Sequence, residues 1–367
     1  MKIRKIFAAI AAAAMAVSAT ACASSTNSSS TADSSAADSS AADSSTPAAT
    51  ADAASTADAS SAADDSSAAE IPADKVYNIG ICQLVQHEAL DAATQGFKDV
   101  LTEKLGADHV KFDEQNANGE STNCTTICTG FAASGVDLIL ANATGALQAA
   151  SAATATIPIL GTSVTDYATA LSIDDWTGAT GTNISGTSDL APIDEQAKML
   201  LEMFPDVKQV GILYCSAEAN SKYQATLFAN ALADAGVACK EYSAADTNEI
   251  STVCTTAIGE CDVLYLPTDN TMASSTETIK NIVVPAGIPG IAGEEGICRG
   301  CGVATLSISY EDLGRATGEM AYEILVEGAD ISTMDVRFAP NVTKKYNASI
   351  CAELGITAPE GYEAIAE

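Results

Sequence analysis

Apolar and polar positions along this chain alternate between short continuous apolar runs and longer stretches with a single apolar face. Val76-Tyr77-Asn78-Ile79-Gly80-Ile81-Cys82 predicts a strand. Leu90 to Leu105 predicts a helix, with Leu90, Ala93, Phe97, Val100 and Leu101 on one face and Gly106 as its stop. Val110 to Asp113 is the next strand, and a helix starts near Ser121. Val136 to Leu140, apolar except at Asp137, reads as a strand buried on both faces. A small-residue helix from Ala146 to Thr156 and a strand from Ile157 to Leu160 follow. The same order then recurs downstream. Val210 to Tyr214, Val237 to Tyr242, Asp262 to Leu266, Ile288 to Ala292 and Leu306 to Ser309 read as strands. Helices Ser221 to Ala235 and Glu311 to Glu327 each end at a glycine, and Tyr346 to Ile350 with a terminal helix closes the chain. Strands alternating with helices give right-handed βαβ units and a parallel sheet covered on both faces.

The recurrence is also visible residue by residue. Ser121, Thr122, Cys124, Thr125 and Thr126 match Ser251, Thr252, Cys254, Thr255 and Thr256 at one offset. Ile157-Pro158-Ile159 is echoed by Ile288-Pro289-Gly290-Ile291. Similarity at a fixed long offset predicts two lobes of one design. The Gly/Ser/Thr-rich segment Gly181 to Asp189 lies between them and suits a chain crossing that absorbs a hinge rotation. Further crossings are expected near Ser307–Tyr310 and Thr333–Phe338. The expected division is therefore lobe I over 75–186 and 310–334, and lobe II over 187–309 and 335–367: an α/β protein of two doubly wound parallel-sheet lobes joined by a three-crossing hinge.

Composition adds a compartment. Met1-Lys2-Ile3-Arg4-Lys5, the apolar run Ile6 to Val17 and Ser18-Ala19-Thr20-Ala21 read as a signal peptide over 1–21. Residues 22–74 are dominated by Ser, Ala, Asp and Thr with almost nothing to bury, and read as a disordered tether. The formal net charge of −31 excludes nucleic acid as a partner, since phosphates need Lys and Arg to replace counterions. Of the eleven cysteines, all but Cys22 lie in the folded part. Cys82 and Cys215 end strands, Cys239 lies in one, and Cys124 and Cys128 sit one helical turn apart. Free buried thiols are the leading reading. A Cys298–Cys301 disulfide or a metal pair stays open, although zinc needs two more ligands and His87 and His109 are the only histidines.

In open α/β sheets ligands bind beyond the carboxyl ends of the strands. That rule selects Gln83 to Glu88, Asn142 to Thr144 and Thr162 to Asp166 in the first lobe. In the second it selects Cys215 to Ser221, Thr268 to Asn270 and Gly293 to Gly296. All are rich in short polar side chains, and acids concentrate in the second-lobe loops.

Cleavage ahead of Cys22 resembles the lipobox of bacterial lipoproteins, which implies a lipid on Cys22 as the membrane anchor. Residues 75 to about 360 resemble the type 1 periplasmic binding fold. More narrowly, they resemble the ABC-transporter substrate-binding family associated with tryptophan and tyrosine uptake. The resemblance rests on Gln83-Leu84-Val85-Gln86-His87-Glu88-Ala89-Leu90, Ala143-Thr144-Gly145-Ala146-Leu147-Gln148 and Gly186-Thr187-Ser188-Asp189-Leu190. It rests also on Tyr214-Cys215-Ser216-Ala217-Glu218-Ala219-Asn220-Ser221, Leu266-Pro267-Thr268-Asp269-Asn270-Thr271, Glu294-Glu295-Gly296 and Tyr310-Glu311-Asp312-Leu313-Gly314. Gln86 stands where members often have Glu, and Gly145 where they often have Pro.

The resemblance implies capture of a small solute between two closing lobes, with no covalent chemistry, cofactor or metal. For an amino acid, it implies a carboxylate held by Thr144, Ser163 and Thr165 with backbone N–H groups near Gly145. The ammonium would meet Asp269, Glu294 or Glu295. Ser188, Ser216, Glu218, Asn220 and Asn270 would close around the rest, with His87 walling the side-chain pocket. The implied partners are ABC permease subunits and, through the lipid alone, the extracytoplasmic face of the cell membrane. A sugar- or nucleoside-binding lipoprotein of an ABC importer is the alternative, disfavoured by an aromatic content of 5% and a single tryptophan, Trp176, outside these loops. An enzyme is disfavoured because no nucleophile signature accompanies His87. A transcription regulator is disfavoured by the export signal.

Overall fold

The computed structural model describes residues 72, 74–339 and 341–366; the expected signal peptide over 1–21, Cys22 and nearly all of the expected tether lie outside the described residues. Five strands, β1 (Tyr77–Gln83), β2 (Val110–Asn116), β3 (Leu138–Asn142), β4 (Ile159–Val164) and β5 (Ile184–Ser188), are parallel in the order β2-β1-β3-β4-β5. The next five, β6 (Gln209–Cys215), β7 (Ala238–Ala244), β8 (Val263–Leu266), β9 (Gly290–Ala292) and β10 (Ala304–Ile308), form a second sheet in the order β7-β6-β8-β9-β10. The two orders are equivalent, so the repeat in the sequence is a repeat of topology. The central strands β3, β4, β8, β9 and β10 are buried along their whole length. That is why they read as continuous apolar or small-residue runs, whereas the edge strand β2 is largely exposed.

The matched helix starts do the same work in both lobes. Helix Ser121–Ser134 follows β2 and helix Ile250–Ala257 follows β7. Cys124 and Cys254 are both fully buried against their sheets. The threonines face outward, and their hydroxyls donate to carbonyls one turn back. Thr125 and Thr126 reach Ser121 and Thr122 at 3.1 and 3.0 Å, and Thr255 and Thr256 reach Ser251 and Thr252 at 2.7 and 3.0 Å. All ten described cysteines are free thiols, nine of them buried, so Cys298 and Cys301 are not bridged.

Helix Tyr310–Leu325 returns from the second sheet and packs along helix Glu88–Leu105 of the first lobe. The two approach closely enough that a Cβ on Gly96 would sit 2.3 Å from the Glu311 carbonyl oxygen, and one on Gly314 2.0 Å from that of Ala93. Beneath them Phe97, Leu101, Leu105 and Met320 fill the core on that face of the sheet. Burial stabilises by roughly 1.5–3 kcal/mol for each such side chain.

Two crossings fall a few residues away from the expected limits. β5 runs through Ser188, and a short strand, β11 (Arg337–Phe338), pairs with it in parallel, so both belong to the first sheet. The expected boundaries at 186/187 and 334/335 therefore move to 188/189 and beyond Phe338. The second sheet gains β12 (Val342–Tyr346), antiparallel to β10, and β13 (Glu363–Ala364). An antiparallel return is what lets the chain arriving from the hinge edge pair without another crossover helix.

Candidate ligand site in the cleft

The carboxyl ends of both sheets face one cleft. At its centre is a small cavity lined from both sides. His87, Leu90 and Ser163 come from the first lobe, Asn220, Thr268, Asp269, Asn270, Ala273 and Glu294 from the second, and Asp189 and Tyr310 from the hinge. A larger, more open groove adjoins it past Asn220 and Asn270 and reaches Thr144, Gly145 and Glu218. A second opening leads outward past His87 and Glu294 to Glu88 and Arg299.

The first lobe contributes backbone held under strain. Ala143, at the end of β3, has φ 88° and ψ 159°, and Ser163, in β4, has φ 55°. A residue with a Cβ in these regions costs about 1–3 kcal/mol, and such residues cluster where a ligand is held. Ala143 leads directly into helix Thr144–Ala153, whose first turn has no side-chain cap. Its free N–H groups and dipole favour an anion there. The Thr144 and Ser163 hydroxyls are buried nearby without a partner. Buried polar groups are ordinarily bonded, so these two mark unfilled demand.

The second lobe contributes acids shaped by its loops. Asp269 caps the turn Asn270–Ala273 through Met272 N at 2.8 Å and accepts from Cys215 N at 2.6 Å. Burial pushes its carboxyl up to about 8, with the nearby Glu218 charge adding to the shift. Glu294 caps helix Glu295–Cys301, accepting from Gly296 N at 2.6 Å and from Ile297 N. Burial pushes it up to about 7 although both N–H groups oppose the rise. Glu218 holds the loop in place, accepting from Asn270 Nδ2 at 2.6 Å, Thr271 Oγ1 at 2.7 Å and Thr271 N at 2.9 Å. Loss of solvent lowers the His87 pKa, which favours the neutral ring, and its Nε2 lies 3.1 Å from Asn270 Oδ1. The cavity therefore holds three buried carboxyl groups and no lysine or arginine. Among the described residues no cluster of three or more metal-capable side chains occurs.

Of the residues singled out from sequence, His87, Ser163, Asn220, Asp269, Asn270 and Glu294 line the cavity. Thr144 and Glu218 line the groove beside it. Four lie elsewhere because their polar atoms are spent locally. Thr165 Oγ1 donates to Asp189 at 2.8 Å, Ser188 Oγ to the Thr165 carbonyl at 2.8 Å, and Ser216 Oγ to the Ala244 carbonyl at 3.3 Å. Glu295 pairs with Arg299 at 2.9 Å, outside the cavity. Asp189, Tyr310, Thr268, Leu90 and Ala273 line the cavity without having been singled out. Asp189 and Tyr310 did stand in quoted motifs, but at hinge crossings rather than in strand-end loops.

The lobes are drawn together over the cavity. Besides His87 and Asn270, Gln224 Nε2 donates across the cleft to Thr165 Oγ1 at 3.3 Å, and Arg299 pairs with Glu88.

Known proteins resemble this chain in sequence and in fold. A curated "Tyrosine-binding protein" of Clostridioides difficile is 36% identical over 264 residues, covering 71% of this chain and 76% of the relative. A Streptococcus pneumonia domain solved in complex with L-Trp superposes with a TM-score of 0.75 at 32% identity, covering 79% of this chain and all of that one. The ligand-free, open structure of a Clostridium difficile substrate binding protein with adhesive properties gives 0.62 at 36% identity, covering 79% and 99%. The family described as "ABC transporter substrate binding protein" matches residues 78–367, and this chain belongs to it.

Proposed function

We propose that this protein captures a zwitterionic amino acid, aromatic types favoured, in the inter-lobe cavity and presents it to an ABC permease. The observation that carries this reading is the polarity of the cleft. The second lobe and the hinge bring the buried carboxyl groups of Asp269, Glu294 and Asp189 to the cavity with no lysine or arginine in its lining, and the first lobe brings the unpartnered Ser163 hydroxyl to it and the unpartnered Thr144 hydroxyl with an uncapped helix start to the adjoining groove. An ammonium group suits Asp269 and Glu294; a carboxylate suits Thr144, Ser163 and the amides near Gly145. Only the closed form brings both ends to the ligand, so binding free energy favours closure. The tyrosine named for one relative and the L-Trp held by another support the aromatic class.

No bond in the ligand is broken or made in this scheme. The segment over 1–21, lipidation at Cys22 and the tether that follows would hold the protein at the extracytoplasmic face; the export and lipobox patterns support that placement. Among the described residues no helix is long and apolar enough to cross a membrane.

Thermal-shift screening of the full chain against amino acids, sugars and nucleosides tests the reading. Ligand at a hundred times its Kd stabilises by about 2.7 kcal/mol. Stabilisation led by tyrosine or tryptophan is the expected result. Stabilisation by a sugar or nucleoside with none by amino acids would replace it with the alternative class.

A further inference from the structure

Behind one wall of the groove the first lobe buries three thiols together. Cys82, in β1, and Cys124 and Cys128, on helix Ser121–Ser134, are fully buried in one apolar cluster. The helix lies directly on β1, since a Cβ on Gly80 would sit 2.6 Å from the Phe131 ring. Cys82 follows Gly80 on the same face of the strand, about 6.6 Å further along it. Cys128 and Cys124 precede Phe131 on a helix that runs back against the strand, by about 4.5 and 10.5 Å. The Cys82 thiol therefore falls between the two and lies within bonding reach of both. Backbone bonds fix the same corner: Ala117 N donates to the Gln83 carbonyl at 2.9 Å and Gly119 N to the Leu84 carbonyl at 2.8 Å. Among the described residues, no such group is spaced to hold a metal ion.

The repeat supplies a comparison within the chain. Cys254 matches Cys124 and is as deeply buried, but Leu213 occupies the place of Cys82, two residues beyond Gly211. Burial pushes the Cys254 thiol up to about 12. The bond from Cys82 instead holds the Cys124 thiol below its ordinary value, against its burial. Cys128, Cys215, Cys261, Cys301 and Cys351 spend their S–H groups on backbone carbonyls, at 4.0, 3.6, 2.9, 3.4 and 3.5 Å. The thiolate is the form that oxidants attack, so Cys124 is the reactive member and Cys82 the partner in reach.

We propose that Cys82 and Cys124 are a redox pair that hydrogen peroxide joins into a disulfide, pinning the carboxyl end of β1 to the start of helix Ser121–Ser134. This holds whichever ligand the cleft takes. The Cys124 thiolate attacks one peroxide oxygen and the O–O bond breaks, leaving the Cys124 sulfenic acid and hydroxide, which takes up the proton that the thiol gave. The Cys82 sulfur then attacks the Cys124 sulfur. An S–S bond forms, the S–O bond breaks, and the hydroxyl leaves as water with the Cys82 proton. Two thiols lose two electrons in all, and one peroxide becomes two waters. Cys82 lies two residues before Leu84 and Cys124 two after Thr122, and both of those line the groove, so a small oxidant has a short path to open.

The test treats the reduced full chain with hydrogen peroxide, blocks the remaining thiols with iodoacetamide in denaturant and maps the digest by mass spectrometry. A peptide pair linked through Cys82 and Cys124 and released by dithiothreitol is expected, with free Cys124 lost roughly tenfold or more faster than free Cys254. The linked protein should melt roughly 3–8 °C above the reduced one. Cys82→Ser keeps a donor beside Cys124 but has no sulfur to offer; it should form no link and should hold the Cys124 sulfenic acid, trapped by dimedone, while Cys254 stays unlabelled. Should Cys82→Ser fail to fold, Cys124→Ala takes its place, and Cys82 is then expected to stay free after peroxide. Loss of Cys124 and Cys254 at equal rates overturns the inference. So does a link that forms in Cys124→Ala, or a parent in which Cys82 and Cys124 both remain free after Cys254 has been oxidised.

Discussion

Replacing Glu294 by Gln changes the apo protein in a way that depends on pH, and the sign follows from the structure. Glu294 is 3% exposed and its pKa rises from 4.5 to about 7. A carboxyl whose folded pKa is raised holds its proton in the folded state after the unfolded chain has lost it. Stability is then highest below the unfolded pKa, falls as pH climbs from about 4.5, and stops falling above about 7. A rise of about 2.5 units at about 1.36 kcal/mol per unit puts the loss near 3 kcal/mol by pH 8. Glutamine cannot ionise, so that loss disappears. It has one carbonyl oxygen for the two N–H groups of Gly296 and Ile297, which costs about 1 kcal/mol at every pH. The variant should therefore be less stable than the parent by about 1 kcal/mol at pH 4.5 and more stable by about 2 kcal/mol at pH 8, with the curves crossing between about pH 5 and 6. Urea unfolding of both proteins without ligand, at pH 4.5, 6 and 8, measures this. Parallel pH profiles would refute the claim that a buried, uncompensated carboxyl sits at Glu294.

Three further outcomes follow from other parts of the molecule. Arg299→Ala removes the pair that spans the cleft to Glu88; exposed pairs contribute about 0.2–1 kcal/mol, so ligand release measured by stopped flow should quicken about 1.5- to 5-fold at low salt and hardly at all in 1 M salt. Gly96→Val forces the helix pair of the first lobe apart, because the new Cβ meets the Glu311 carbonyl, and should lower unfolding free energy by roughly 2–3 kcal/mol in urea titration. Iodoacetamide labelling of the native protein followed by mass spectrometry should modify Cys239, the one partly exposed thiol among the ten described, well ahead of the others, and all ten at similar rates in denaturant.

The architecture was legible because buried parallel strands and their covering helices leave different periods in the sequence. Val136 to Leu140 and Asp262 to Leu266 could be read as central strands from composition alone, and the offset repeat announced two equivalent sheets. The antiparallel β12 was not legible: Val342-Thr343-Lys344-Lys345-Tyr346 is polar and largely exposed, and only its pairing with β10 makes it a strand. The lining of the cavity was legible where a strand end delivers a side chain to the cleft, as for Ser163, Asp269 and Glu294. It was not legible where neighbouring backbone consumes a hydroxyl, as for Ser188 and Ser216, since a free and a bonded serine look alike in sequence. Asp189 and Tyr310 escaped for another reason. They lie 121 positions apart, and only the folding back of helix Tyr310–Leu325 onto the first lobe brings them to one cavity.

The central claim is that the cleft binds an amino acid by its two charged ends, and a crystal structure of the L-tyrosine complex tests it most directly. The predicted density has the ammonium among Asp269, Glu294 and Asp189 and the carboxylate against Ser163 and the first turn of helix Thr144–Ala153. A ligand bound in the reverse orientation, or outside the space between the two sheets, would contradict it.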